Sequence, residues 1–220
     1  MTSSTVRPRS REAGIPRDAI TRLLGVFALG LALAAGGCSV APMPPDRFYH
    51  LGVVGASSPA GACRLPGVLL VNRPTADSLT DERSMVYRPA GDTKELRRSD
   101  YHLWVDPPTI LLQNRLVTYL QKRGVSDTVV TPGLRAQADY ALSGRIVEMH
   151  RSLGNPPTIT LAMDLSLLRL RDRRVLVQSS GIETQSAASI DEAIRAYESA
   201  ASNLFDAFIA ECQSRLSASE

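Results

Sequence analysis

Six residues in this 220-residue chain are best suited to bond-making or metal chemistry: the cysteines Cys38, Cys63 and Cys212 and the histidines His50, His102 and His150. A thiol can be alkylated, oxidised to a disulfide, bound to a metal or used as a nucleophile. Metal sites need close ligand spacing such as a CxxC pair, and neither the cysteines nor the widely separated histidines supply it. GxSxG, Walker A, GxGxxG and HExxH are all absent. Serines and carboxylates are common, but no spacing gathers them into a catalytic set. The sequence therefore points away from an enzyme, a metal centre and a bound cofactor.

Cys38 has the most specific context. An apolar run of 13 residues, Leu23 to Ala35, follows a set of arginines and ends in Gly36-Gly37-Cys38. A secretory signal has a positive start, an apolar stretch of ~7–15 residues and small residues at its cleavage site. A membrane-spanning helix needs ~20 apolar residues, and Pro42, Pro44 and Pro45 would cut one short. Residues 1–37 are therefore expected to be a signal peptide. The small residues directly before Cys38 resemble a bacterial lipobox, in which the thiol is alkylated by a diacylglyceryl group and the leader is cut just before the cysteine. Ala35 departs from the leucine that lipoboxes favour at that place. The plainer reading is an ordinary signal with an incidental cysteine. Each buried CH₂ of an acyl chain contributes ~0.8 kcal/mol, and two or more chains give a stable anchor. Ser39 is not the aspartate linked to inner-membrane retention, so the expected address is the periplasmic face of the outer membrane.

The leader also explains the charge. Arg7, Arg9, Arg11, Arg17 and Arg22 stand against Glu12 and Asp18, so it carries the whole net charge of +3, and the remaining residues balance. A neutral mature chain argues against nucleic acid as a partner. Arg97 and Arg98, and the group Arg169, Arg171, Arg173 and Arg174, read as solvated turn and strand-end charges. With Cys38 acylated, Cys63 and Cys212 have one possible pairing in an oxidising compartment. Such a bond would close a loop of about 150 residues and contribute roughly 4–5 kcal/mol in the chain-entropy model. Two separate buried thiols are the alternative.

The elements that must position these residues follow from periodicity and caps. Residues 39–46 read as a Pro-rich tether. Strands are expected over 47–54, 67–72, 84–87, 101–105, 127–130, 140–149, 158–167 and 175–183, with a flexible loop at 55–61 and a polar loop at 89–99. The clearest is 158–167, where Ile159, Leu161, Met163, Leu165 and Leu167 alternate with polar residues. RDRR at 171–174 makes the turn of an antiparallel hairpin. Asp106-Pro107-Pro108 starts a helix, with Asp106 expected as its N-cap and Gly124 ending it. Leu112, Leu116, Tyr119 and Leu120 form its apolar face. Ser189 and Glu192 fit a capping box for a final helix, whose stripe runs Ile190, Ile194, Tyr197, Ala201, Leu204, Phe208 and Cys212. There are no internal repeats. The expected fold is α+β: one domain over 47–216, a mixed, mostly antiparallel sheet with two main helices packed on one face, and a tail at 217–220.

Several segments together resemble the ABC-type transport auxiliary lipoproteins, the group that includes the paraquat-inducible protein C-like lipoproteins. They are the aromatic strand Phe48-Tyr49-His50-Leu51, the strand end Val71 to Pro74, Met85-Val86-Tyr87-Arg88, and above all Trp104-Val105-Asp106-Pro107-Pro108 before a helix of leucine pairs. The resemblance extends over most of 47–216. Leu103 stands where many relatives have an arginine. It implies a noncatalytic component of a system that moves lipids or hydrophobic compounds across the periplasm. The implied partners are an MCE-domain protein, forming a hydrophobic conduit, and an ABC permease and ATPase at the inner membrane. A homo-oligomer around the conduit's end is compatible with it. Trp104 then has two readings, an interface or lipid-contact aromatic and a core residue that closes the sheet. An envelope-scaffold or outer-membrane assembly lipoprotein is the competing function.

Overall fold

The computed structural model describes residues 43–52, 63–91 and 94–218. The leader, Cys38 and the tether as far as Pro42 lie outside them, as do the expected end of the first strand at 53–54 and the loop at 55–61. The folded unit begins at Pro44. Its elements are β1 (Arg47–Tyr49), β2 (Leu65–Val71), β3 (Ser84–Arg88), β4 (Arg97–Trp104), helix α1 (Pro108–Arg123), β5 (Ser126–Val130), a 3-10 turn (Pro132–Leu134), β6 (Tyr140–Ser152), β7 (Thr158–Arg169), β8 (Arg174–Ser186) and helix α2 (Ile190–Ser217). The class is α+β, an open mixed sheet of eight strands with two helices.

β6 is the spine of the sheet. Along one edge it pairs antiparallel with β7 from Tyr140↔Arg169 to Ser152↔Thr158, and β8 pairs antiparallel with β7. Its other edge is divided. Residues 140–142 pair in parallel with 69–71 of β2, and Arg151 and Ser152 pair in parallel with Tyr87 and Arg88 of β3. Thr75 bridges Arg145 between them. β5 extends the first arm, and β4 and then β1 extend the second. The sheet is thus a long meander that forks.

β7 alternates because it lies inside the sheet with one face toward the helices. Ile159, Leu161, Met163, Leu165 and Leu167 are all buried there. α2 lies so close to β8 that a Cβ on Gly181 would meet Leu204 Cδ2 at 2.5 Å. Any side chain there would force the Leu204 side chain to shift. α2 starts with a complete capping box: Ser189 accepts from the Glu192 N–H, and the Glu192 carboxylate accepts from the Ser189 N–H. Leu204, Phe205, Phe208 and Cys212 bury its inner face. Early in the helix Ala193, Ala196 and Ala200 are buried, whereas Ile190 and Ile194 are half-buried, so the buried face is offset from the expected stripe.

The start of α1 corrects one expectation. Asp106 is exposed and is not the N-cap; Pro107 is, with ψ 142° and no side-chain cap bond. A residue preceding proline is pushed to extended backbone, so Pro107 is the last non-helical residue and Asp106 falls one place too early. Thr109 and Asp81 secure the helix start instead. The Thr109 hydroxyl donates to Asp81 and accepts from Arg73 Nε. These contacts, Thr109 first, hold the Asp81 carboxyl below its ordinary value. The other end agrees with the sequence: Gly124 adopts φ 64°, a left-handed cap. A second departure is β4, which begins at Arg97, inside the segment read as a polar loop. Its first residues are exposed on the fork's outer arm, so they carry no apolar alternation.

One residue on the α1 face breaks the hydrophobic rule. Arg115 is only 2% exposed. Its guanidinium donates to the Glu198 carbonyl at 2.6 Å and to Ser202 Oγ at 3.0 Å, which joins α1 to α2. Tyr119 packs edge-on against Phe205 beside it. The surface arginines have ordinary partners: Arg97 with Glu95, Arg98 with Glu82 and Arg169 with Asp172.

Candidate functional site

Trp104 ends β4 and is buried at 2% exposure. Its indole meets the Tyr197 ring of α2 edge-on, with centroids 5.8 Å apart. Burial pushes the Tyr197 phenol pKa up. This pair forms the inner wall of a cavity of ≈ 320 Å³ between β3, β4, the end of β6 and the first turns of α2. Met85, Met149, Ile190 and Ala193 complete an apolar interior. Arg98, Asp100, His102 and Arg151 line the outer part, where the chain is more exposed.

The polar groups there differ in how far they are occupied. Arg98 is paired with Glu82 at 2.6 Å. His102 Nδ1 lies 3.0 Å from Tyr49 Oη, which ties β1 to the cavity's edge. Burial, then Arg47 and Arg151, holds the His102 pKa below 6.5, so its ring is neutral. Arg151 is half-buried and donates to two main-chain carbonyls, Ala187 at 3.2 Å and Ala188 at 2.9 Å. Its Nε is buried without an acceptor among the described residues.

Of the motif and cysteine candidates Trp104, Asp106, Pro107, Pro108, Cys63 and Cys212, only Trp104 lines this cavity; His102, Arg98, Tyr87 and Tyr197, noted in the sequence for other reasons, line it as well. Asp106, Pro107 and Pro108 belong to the start of α1. Cys63 and Cys212 meet elsewhere, where the segment before β2 reaches the last turns of α2, and their Sγ atoms are bonded with Cα atoms 5.5 Å apart. Sequence reasoning missed Arg151, Met149 and Tyr87 as neighbours of Trp104. Tyr87 comes from β3, the strand before β4 and paired with it, whereas Met149 and Arg151 come from β6, distant in sequence, which meets β3 only at the fork.

His150 lies between two residues that line the cavity, so strand alternation turns it to the opposite face. It is 2% exposed, and Nε2 has no partner among the described residues. Burial, then Arg88, holds its pKa below 6.5, against a weaker opposing pull from Glu148. The unfolded chain therefore takes up the proton first as pH falls through about 6.5. Stability is full above that pH and falls below it, by at most about 1.4 kcal/mol per pH unit for one such group. His150→Leu is expected to flatten the loss between about pH 6.5 and 5, measured by urea denaturation at a series of pH values. Equal slopes in both proteins would rule the effect out.

The described residues form one α+β domain built on a forked sheet, with a cavity between its outer arm and α2. The chain belongs to the ABC-type transport auxiliary lipoprotein family, whose model matches residues 49–209. A crystal structure from Xanthomonas campestris, of the DUF330 family, matches with a TM-score of 0.67 at 18% identity, covering 79% of this chain and 100% of that one. The crystal structure of an uncharacterized protein matches at 0.58 and 14% identity, covering 74% and 95%. At these identities the likeness is one of fold. No curated protein matches the chain. No helix among the described residues is long and apolar enough to cross a membrane.

Proposed function

We propose that the protein is the noncatalytic, lipid-anchored component of an ABC/MCE-type system that moves lipids or hydrophobic compounds across the periplasm. The observation that carries this reading is the family match over 49–209. The Gly36-Gly37-Cys38 context supports an acylated N-terminus. In this reading Cys38 holds the chain at the periplasmic face of the outer membrane. The eight residues of the tether, Ser39 to Asp46, reach roughly 25 Å when extended. The domain stands off the bilayer by that length and meets the far end of an MCE conduit, while the permease and ATPase supply energy at the inner membrane. Subunits assembled around the conduit would give each copy the same contact.

The test is affinity capture of the full chain from membranes. An MCE-domain protein and its permease are expected to be recovered with it. Recovery of an outer-membrane β-barrel in their place would select the envelope-assembly reading and overturn this one. Mass spectrometry of the mature N-terminus checks the anchor separately: triacylated Cys38 is expected, and an unmodified Cys38 would refute it.

A further inference from the structure

We propose that the cavity over Trp104 and Tyr197 binds an amphiphile with one acyl chain and an anionic head, the chain lying in the apolar interior and the anion meeting Arg151. The inference deepens the transport reading and rests on it for its biological sense, but its evidence is the cavity's own chemistry.

The volume comes first. At ≈ 320 Å³ the cavity lies at the low end of the range for small-molecule sites, enough for one chain rather than two. The interior comes next. Met85 and Met149 contribute flexible, polarisable side chains that adapt to an irregular apolar guest. Trp104, Tyr197, Ile190 and Ala193 add no group that must be ionised there.

The third observation is the cation. A half-buried guanidinium without a counter-ion gains a charge-assisted hydrogen bond when an anion reaches it. Arg151 has no carboxylate within ion-pair distance among the described residues, and its Nε finds no acceptor. Its two bonds to main-chain carbonyls fix the head but leave its charge unmatched. Its field reaches both His102 and Tyr197, which places the charge beside the cavity's wall. Arg98 is already matched by Glu82, and His102 is neutral, so Arg151 is the group an incoming anion would neutralise. Asp100 opposes an anion from the outer edge, but it is exposed and screened by water and salt. A neutral guest would leave Arg151 unmatched, and a cationic one would be repelled by it.

The full chain, acylated and reconstituted in phosphatidylcholine nanodiscs, is irradiated with a diazirine-bearing palmitic acid, and the labelled peptides are mapped by mass spectrometry. Labelling is expected on the peptides that carry Trp104, Met149 and Tyr197. Ala193→Phe, which fills the cavity, is expected to abolish it. Arg151→Gln is expected to lower labelling by the acid about tenfold, as for the loss of a charge-assisted hydrogen bond. The corresponding diazirine alcohol should show no such difference between the two proteins. Thermal unfolding of each variant reports whether it folds; if Ala193→Phe does not, Ile190→Trp narrows the same space from the first residue of α2. Competition separates two sources of the same chemistry: displacement by oleate alone indicates a free fatty acid, and displacement by lysophosphatidylglycerol indicates a lipid. Labels scattered over the surface, displacement by neither competitor, or equal labelling of wild type and Arg151→Gln by the acid would overturn the proposal. Cavity labelling without recovery of an MCE protein would leave the site standing and the transport reading refuted. Recovery of that protein without cavity labelling would do the reverse.

Discussion

Replacing Cys63 and Cys212 together by alanine is expected to lower the free energy of unfolding by about 5 kcal/mol in the chain-entropy model. The cysteines are 149 residues apart, so the bond they form closes most of the folded unit into one loop. The unfolded chain then loses much of its freedom, while the folded chain gives up little, since both cysteines are buried in the core. Alanine is the right replacement because a serine hydroxyl would be buried without an assured acceptor. A domain of this size is typically stable by only about 5–15 kcal/mol, so the loss is a large fraction of the total. Guanidinium denaturation with and without dithiothreitol measures it. The midpoint of the double variant should fall, its m-value should rise because an uncrosslinked chain exposes more surface, and reductant should bring the wild type to the same curve. An unchanged midpoint, or a peptide map without a 63–212 bridge, would show that the mature protein holds two thiols. The bond also bears on location. It would form in an oxidising compartment, and the same chain kept in a reducing one would lose that contribution.

Trp104→Ala is the second large expected effect, a loss of about 3–5 kcal/mol, the range for truncating a buried aromatic. The two readings of this residue predict different outcomes. An interface tryptophan could be truncated with little change in stability. A core tryptophan could not, and the structure supplies the reasons: 2% exposure and an edge-on contact with Tyr197. Its main chain is held as well, the N–H by the Arg83 carbonyl at 2.6 Å and the carbonyl by Arg83 Nε at 3.0 Å. Trp104→Phe keeps part of the ring contact and should cost less. Asp106→Ala, two residues away, should change stability by no more than about 0.5 kcal/mol, since an exposed residue without a cap bond has little to lose. Thermal and urea unfolding of the three variants compares them. Equal, small effects at Trp104 and Asp106 would return the whole motif to the surface. Since Trp104 also forms the cavity wall, its truncation should enlarge the guest's space while loosening the α2 contact.

The sequence by itself determined the features that have a short period or a local stop signal. Alternation over 158–167 fixed which face of β7 is buried, because side chains on a strand point to opposite sides in turn. Pro108 and Gly124 bounded α1, and Ser189 with Glu192 opened α2, because each satisfies or terminates backbone groups within a few residues. Family membership was legible for a related reason: Trp104 to Pro108 and the helix after it are contiguous. Only the tertiary structure decided the rest. Strand order depends on which apolar faces meet, and the division of one edge of β6 between β2 and β3 has no local signature. The polar start of β4 reads as a loop because its partner β3 stabilises it, not its own pattern. Arg115 and Arg151 look like any other arginines in the sequence. One becomes a bridge between the two helices and the other a cation without a counter-ion only when distant segments close around them. The reason is physical: a side chain's burial and the charges facing it are properties of the packed chain, and neither exists until the fork in the sheet and the two helices are in place.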